Sequence, residues 1–534
     1  MNPLLSVRNL TVRFGETTAV DDVSFDLPRG GALGIVGESG SGKSVTCRAL
    51  MKLLPSVAKI DGAITFDGDD ILGASEAKLN TLRGKRIAMI FQSPASHLDP
   101  LMRIGDQVAE TLRKHTDLKG RAIQDEVLRL LDVVRIPDVQ RCARAYPHEL
   151  SGGMKQRAMI AGALACKPDL LLADEPTTAL DATVQKSVLD LLAELRRTQG
   201  LSMIFVSHDL GAVARVCDDV LVMRKSKLVE TGKIRDVIEN PQHEYTQMLI
   251  ASHPDRLRLH KPQDVARAAP LFEVKGVQIR YGGGSILDSL MGREGGFVAV
   301  KGASFSVQRG EALGIVGESG SGKTTLARSL VGLVKTAKGE ILYEGSPAEP
   351  TGRNRAAYLR DVQLVYQHPY EALSPRICIR DAIGEPLRRH KLCSPKDIPA
   401  KVADLMQQVD LAPELGDRLP AQLSGGQCQR VAIARALAMD PRVLIADEVT
   451  SALDVTLQAQ VMDLLIRLQK ERGLTMIFIS HDLAVIRRLC NSVIVMRQGE
   501  IVEAGPTADV FDSPTQDYTR TLIDAIPRLD AAPA

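Results

Sequence analysis

Apolar residues fall in short runs along this chain, each ended by glycine, proline or charge. The run Ala32-Leu33-Gly34-Ile35-Val36 has no polar position, which predicts a strand buried on both faces. Val45-Thr46-Cys47-Arg48-Ala49-Leu50, just beyond it, continues as a helix. Leu170-Leu171-Leu172-Ala173-Asp174 and Val443-Leu444-Ile445-Ala446-Asp447 predict two more buried strands, each ending in adjacent carboxylates. Leu4–Val7 and Leu271–Val274 read as opening strands. No run approaches the roughly 20 apolar residues needed to cross a bilayer.

The same pattern occurs twice. Gly37-Glu38-Ser39-Gly40-Ser41-Gly42-Lys43 returns in the second half of the chain as Gly317-Glu318-Ser319-Gly320-Ser321-Gly322-Lys323. Leu150-Ser151-Gly152-Gly153 returns as Leu423-Ser424-Gly425-Gly426, Asp174-Glu175 as Asp447-Glu448, and Ser207-His208-Asp209 as Ser480-His481-Asp482. These last three pairs share one spacing, slightly shorter than that of the Gly-rich loops. A long period with one motif order predicts two whole domains rather than a solenoid of short repeats. The opening strands are spaced more closely than the Gly-rich loops, so the second copy is longer than the first before its loop. The segment Gly282–Gly296 fits that gain and predicts a surface loop. We place the first domain at 1–254, a polar, proline-containing linker at 255–270, and the second domain at 271–534.

Composition narrows the class without choosing the chemistry. With 534 residues, 44% hydrophobic and 25% charged, the chain suits two folded domains. Lys+Arg (67) and Asp+Glu (65) nearly cancel, so charge gives no case for nucleic acid as the main partner. Eight cysteines are scattered with no CxxC pair, which argues against a zinc or iron–sulfur ligand set and for reduced thiols. Residues 1–8 lack a basic region followed by an apolar stretch, so a cytoplasmic protein is expected.

The chemistry lies in the repeated motifs. Gly37–Lys43 with Ser44, and Gly317–Lys323 with Thr324, form G-x-x-x-x-G-K-[ST] between a strand and a helix. Glycines let backbone N–H groups turn inward as a nest for phosphate oxygens, helped by the positive helix end. Lys43 and Lys323 are expected on the β- and γ-phosphates, and Ser44 and Thr324 on Mg²⁺. Asp174 and Asp447, at strand ends, are expected in the metal shell, and Glu175 and Glu448 can orient a water and accept its proton. Ser151-Gly152-Gly153 and Ser424-Gly425-Gly426 each open a helix and form a further anion site.

These motifs resemble those of ATP-binding cassette (ABC) ATPases along nearly the whole chain. The resemblance implies two tandem P-loop NTPase domains of α/β class. Each has a RecA-like parallel-sheet core, an antiparallel β subdomain and a helical subdomain carrying Ser-Gly-Gly. Gln92 and Gln367 match the Q-loop glutamine, placed with the metal; Thr178–Asp181 and Ser451–Asp454 match the D-loop. His208 and His481, equally spaced from Glu175 and Glu448, match the switch histidine and imply γ-phosphate sensing. Phe14 resembles the adenine-stacking aromatic; in the second copy Tyr281 is the candidate, with Phe297 as the alternative. In the family each P-loop faces the Ser-Gly-Gly of the opposite cassette, which implies an intramolecular pseudo-dimer holding two ATP with Mg²⁺. The chain departs from the family pattern at Met154, where Gln is frequent, and at Val449, where Pro usually follows Glu. The missing proline predicts a slight shift of Glu448 and a modest asymmetry.

Fused ABC cassettes without membrane spans serve separate permeases, or act as translation factors or repair ATPases. Translation-factor relatives have a long charged helical linker, and repair ATPases carry inserted cysteine pairs; neither feature is present. Asn240–Thr246 and Ser513–Thr519, ending the two copies, resemble the C-terminal extension of oligopeptide/dipeptide importer ATPases, including the microcin C type. So do Ser93–Pro100 and His368–Pro375, after the Q-loop glutamines. The resemblance implies a peptide importer motor on the cytoplasmic face of the inner membrane, held by two transmembrane permease subunits. An extracytoplasmic solute-binding protein would deliver cargo. Peptide, microcin-like peptide, glutathione, opine and nickel all stay open, because the ATPase does not touch the solute.

Overall fold

The computed structural model describes residues 3–178, 180–253, 256, 269–282, 296–348, 355–450 and 453–529. The chain divides into two units, Met1–Arg256 with Pro527–Ala534, and Leu257–Ile526. The expected linker lies almost wholly outside the described residues, as do the interior of the Gly282–Gly296 segment and Ala179, Ser451 and Ala452 of the D-loop matches.

In the first unit, alternation along Leu5–Phe14 turns Leu5, Val7, Leu10 and Val12 into the core and leaves Arg8 and Asn9 outside. This strand pairs antiparallel with Thr17–Leu27 on one side and Ala58–Phe66 on the other. With Asp69–Asp70 they form a four-stranded sheet. The continuous apolar runs build a second, six-stranded sheet, as expected of parallel strands covered on both faces. Its order is Lys227–Lys233, Asp219–Arg224, Ala32–Gly37, Ser202–Ser207, Leu170–Asp174, Ile87–Ile90. Only the Lys227–Lys233 edge is antiparallel. The three central strands are buried at every position.

Helices Ile104–His115, Arg121–Val133 and Val139–Arg144 pack with the Ser-Gly-Gly helix, Gly152–Leu164, as a separate group. A crossover helix, Ala182–Gln199, then returns the chain to the sheet. Asp181 caps its start by accepting the Val184 N–H at 3.0 Å, and Gly200, with φ of 63°, ends it.

The second unit repeats the plan. Phe297–Val307, Phe272–Tyr281, Lys338–Tyr343 and Ser346–Pro347 form the four-stranded sheet. The six-stranded sheet runs Val362–Val365, Val443–Asp447, Thr475–Ile479, Ala312–Val316, Ser492–Arg497, Glu500–Pro506. Helices Ile379–Arg389, Ile398–Gln408 and Gly425–Leu437 make its helical group. In both units the Gly-rich loop, the carboxylate pair and the histidine leave the same ends of adjacent parallel strands. Such strand ends are where open α/β sheets bind ligands.

Candidate functional site

The Gly-rich loops depend on glycine for steric reasons. Gly42 and Gly322 sit at φ of 99° and 100°. A Cβ at Gly42 would lie 2.4 Å from the Ala19 carbonyl oxygen, and one at Gly322 would lie 2.5 Å from that of Ala299. The loops then open eight-residue helices, Lys43–Leu50 and Lys323–Leu330, so unbonded N–H groups and the helix dipole face the same space. Lys43 Nζ donates to the Gly37 and Glu38 carbonyls, both at 2.8 Å; Lys323 Nζ donates to Gly317 at 2.7 Å and Glu318 at 2.8 Å. Both ammonium groups are folded over their own loops, within reach of any anion seated there.

Behind each lysine stands a hydroxyl–carboxylate pair. Ser44 Oγ donates to Asp174 Oδ1 at 2.7 Å, and Thr324 Oγ1 to Asp447 Oδ1 at 3.0 Å. Both aspartates are fully buried, and burial raises their pKa values despite the hydroxyl bonds. Asp174 Oδ2 is buried with no hydrogen-bond partner in the protein. An orphaned carboxylate oxygen beside a hydroxyl is an all-oxygen donor set that fits a small hard cation. Among the described residues no group of three or more His, Cys, Asp or Glu is placed to hold a metal ion.

The next residue in each copy is a glutamate that faces a glutamine and a histidine. Glu175 and Glu448 take positive φ, 47° and 48°, a strained conformation for a residue with a Cβ and one that clusters at functional sites. Their N–H groups donate to Val206 and Ile479 carbonyls on the neighbouring strand, at 3.0 and 2.9 Å. Glu175 Oε2 accepts from Gln92 Nε2 and Thr178 Oγ1, both at 2.8 Å, and faces His208 Nδ1 at 3.6 Å. Glu448 Oε2 accepts from Gln367 Nε2 at 2.7 Å and faces His481 Nδ1 at 3.4 Å. Gln92 and Gln367, expected beside the metal, thus stand on the glutamates. Burial pushes Glu175 up in pKa, but the bond and charge of His208 outweigh it and bring the carboxyl down to about 2; Glu448 is lowered by the same balance. Burial lowers the histidines, and the glutamates raise both above the usual imidazole value.

One expectation is corrected here. Val449 in place of proline does not shift Glu448, whose φ, strand bond and glutamine contact match those of Glu175 closely. The Glu448 N–H makes the same strand bond to Ile479 that Glu175 makes to Val206, where proline does follow, and Val449 is buried in the core.

The aromatic candidates sit at the tip of each four-stranded sheet. Phe14 is half-buried against the core of its unit. Tyr281 and Phe297 are cross-strand partners, 43% and 69% exposed, so the two alternatives occupy one place. Tyr281 reaches the first turn of the P-loop helix, with its hydroxyl 3.5 Å from Thr325 Oγ1.

Ser151 and Ser424 cap their helices, accepting the Met154 and Gln427 N–H groups at 3.3 Å. Gln427 Oε1 returns a bond from the Ser424 N–H at 2.9 Å, closing a capping box that Met154 cannot make. Within each unit the structure joins P-loop, aspartate, glutamate, glutamine and histidine; the Ser-Gly-Gly groups are engaged by their own helices.

Three residues were not singled out from sequence. Thr178 lay inside a motif without a role, and its hydroxyl reaches Glu175 only because of the turn. Asp209 and Asp482 cap the helices after the histidines, accepting from Gly211 at 2.8 Å and Ala484 at 2.9 Å. The repeated Ser-His-Asp, with an N-cap residue before an apolar run, was the available signal.

A sequence model described as "ABC transporter" matches residues 20–178 and 300–451, and one for the "Oligopeptide/dipeptide transporter, C-terminal region" matches 229–270 and 502–534. The chain is 44% identical to the glutathione import ATP-binding protein GsiA of Pectobacterium atrosepticum, over 99% of this chain and 90% of that one. It is also 44% identical to the peptidoglycan transport ATP-binding protein YejF of Agrobacterium fabrum, over 99% and 97%. Identity to GsiA of Escherichia coli is 42%, over 98% and 89%.

Proposed function

The chain belongs to the ABC transporter ATPase family, and on that premise we propose that it is the ATP-hydrolysing subunit of an importer for peptides or peptide-like solutes. The observation that carries this reading is the doubled constellation of P-loop lysine, hydroxyl–aspartate pair and glutamate held between glutamine and histidine. The two C-terminal extensions and the relatives named for import and transport favour transport over a translation or repair ATPase. The two cassettes are assigned to residues 1–254 and 271–534.

In this reading each lysine exchanges its loop carbonyls for β- and γ-phosphate oxygens, and Phe14 and Tyr281 stack on adenine. Ser44 with Asp174, and Thr324 with Asp447, would hold Mg²⁺, which when bound would supply positive charge to the phosphates. Glu175 and Glu448 are ionised at neutral pH but occupied by two or three donors. Each becomes a general base when those donors turn to the γ-phosphate and a water takes their place. His208 and His481, facing the glutamates, are the groups that make that exchange. By family membership alone, each P-loop works with the Ser-Gly-Gly of the other cassette.

Among the described residues no helix is long and apolar enough to cross a membrane, and in this reading the coupling partners are permease subunits. A cavity of about 450 Å³ in the second unit is open to them, between the edge strand Val362–Val365 and the helical group. Leu333, Tyr366, Glu385, Arg389 and Arg435 line it, and Tyr366 directly precedes Gln367. A permease loop seated there would act on Gln367 and hence on Glu448. The chain would work at the cytoplasmic membrane face, with a solute-binding protein delivering cargo on the other side. The test is co-purification of the tagged chain with two permeases and stimulation of its ATPase by them and a loaded binding protein. Ribosome association without permeases would contradict the reading.

A further inference from the structure

The tail of the second unit returns to its P-loop. Glu503, on the strand Glu500–Pro506, accepts the Thr515 N–H at 2.7 Å, the Thr515 hydroxyl at 2.8 Å and the Gln516 N–H at 3.3 Å. That carboxylate fixes the start of the helix Asp517–Asp524, which buries Thr519 and Leu522. Tyr518 emerges beside this anchor. Its ring lies 4.7 Å from the guanidinium carbon of Arg497, a cation–π distance. Arg497 follows Met496, whose carbonyl oxygen lies 2.1 Å from where a Gly317 Cβ would stand, so this strand end abuts the first residue of the P-loop.

The Tyr518 hydroxyl accepts the Glu318 N–H at 3.2 Å. That N–H belongs to the same peptide group as the Gly317 carbonyl, which accepts Lys323 Nζ at 2.7 Å. The peptide between Gly317 and Glu318 is therefore gripped at both ends, by the tail and by the lysine. It follows a glycine at φ of 147°, where no Cβ restrains the backbone, so its orientation depends on the partners it bonds. Rotation would turn the Gly317 carbonyl away from Lys323 and disorder the loop that phosphate must find already formed. The first unit repeats the framework, with Glu230 accepting Gln242 and His243 N–H groups and Arg224 set 4.9 Å from the fully buried Tyr245.

We infer that Tyr518 is a positioning residue for ATP binding: through its hydroxyl, the C-terminal extension holds the second P-loop in its phosphate-ready form. The inference rests on the ATPase reading above. It is tested with Tyr518→Phe, which keeps the ring under Arg497 and removes only the hydroxyl. Binding of a fluorescent ATP analogue is measured in the full chain carrying Lys43→Ala, so that the second P-loop reports. KM and kcat are measured in the otherwise unaltered chain. The expected result is affinity weakened about three- to tenfold, the range of one lost neutral hydrogen bond. KM should rise with it while kcat holds, and the nucleotide-free melting temperature should fall by no more than about 6 °C, the cost of that one bond. Unchanged affinity in Tyr518→Phe, or a melting temperature that falls by well over about 6 °C along with affinity, overturns the inference. If the Lys43→Ala parent and the unaltered chain both fail to bind the analogue, it is the ATPase reading itself that fails.

Discussion

Replacing Gly322 and Gly320 by alanine separates two costs that the P-loop combines. Both glycines have positive φ, 100° and 80°, so alanine at either is strained by roughly 1–2 kcal/mol. At Gly320 nothing lies within 4 Å of the new Cβ, and that strain is the whole effect. At Gly322 the Cβ would stand 2.5 Å from the Ala299 carbonyl oxygen and 3.4 Å from Val300 Cγ2. A carbon–oxygen contact relaxes at about 3.3 Å, so the loop and the strand must part by about 0.8 Å. Ala299 lies in the strand Phe297–Val307 between Val298 and Val300, which pair with Arg280 and Ile279 and limit how far it can move. Overpacking adds about 1–3 kcal/mol, for a total of roughly 2–5 kcal/mol. For a unit of this size each kcal/mol moves the melting temperature by about 2–4 °C. Thermal unfolding without nucleotide should therefore show a shift of about 2–8 °C for Gly320→Ala and a clearly larger one for Gly322→Ala. Equal shifts for the two variants would refute the steric argument. The same contrast holds between Gly40, with open space around it, and Gly42, which faces the Ala19 carbonyl.

Other outcomes follow from the buried carboxylates. Asp174→Asn removes the charge beside Ser44, and the gain in ATP affinity on adding Mg²⁺, read by isothermal titration, should shrink at least about tenfold; an unchanged Mg²⁺ dependence contradicts the assignment. The Glu175–His208 pair makes stability depend on pH in two windows. The raised histidine contributes below its unfolded value near 6.5 and loses that contribution as pH rises through its higher folded value. The depressed glutamate contributes above its unfolded value near 4.5, and that contribution is lost only as pH falls toward about 2. His208→Gln should therefore flatten the decline of melting temperature with pH above 6.5, and an unaltered profile would count against the pair.

Much of the site was legible because its chemistry is local in sequence. The P-loop, the strand-terminal Asp-Glu and the Ser-Gly-Gly helix starts each combine a motif with the element that presents it. The two-domain plan followed from the repeat. Long-range bonding was not legible: Gln92 and Glu175 are 83 apart in the chain, and Tyr518 and Glu318 are 200 apart. Val449 misled for a related reason. A substitution beside Glu448 suggested a local shift, but the bond from Glu448 to Ile479 on the next strand decides the backbone there. Positive φ at two glutamates also defies local preference, since tertiary bonds hold a conformation that glutamate alone avoids.

The central claim is that Glu175 and Glu448 drive hydrolysis at sites that bind ATP without them. Steady-state ATP turnover by the Glu175→Gln/Glu448→Gln double variant tests it most directly, because glutamine keeps the side-chain shape and an oxygen that can accept from Gln92, Thr178 and Gln367. The account predicts ATP affinity within about threefold of the unaltered chain and turnover lowered at least about 100-fold, the range for losing a general base. Turnover within about twofold of the unaltered chain, with ATP bound, would contradict it.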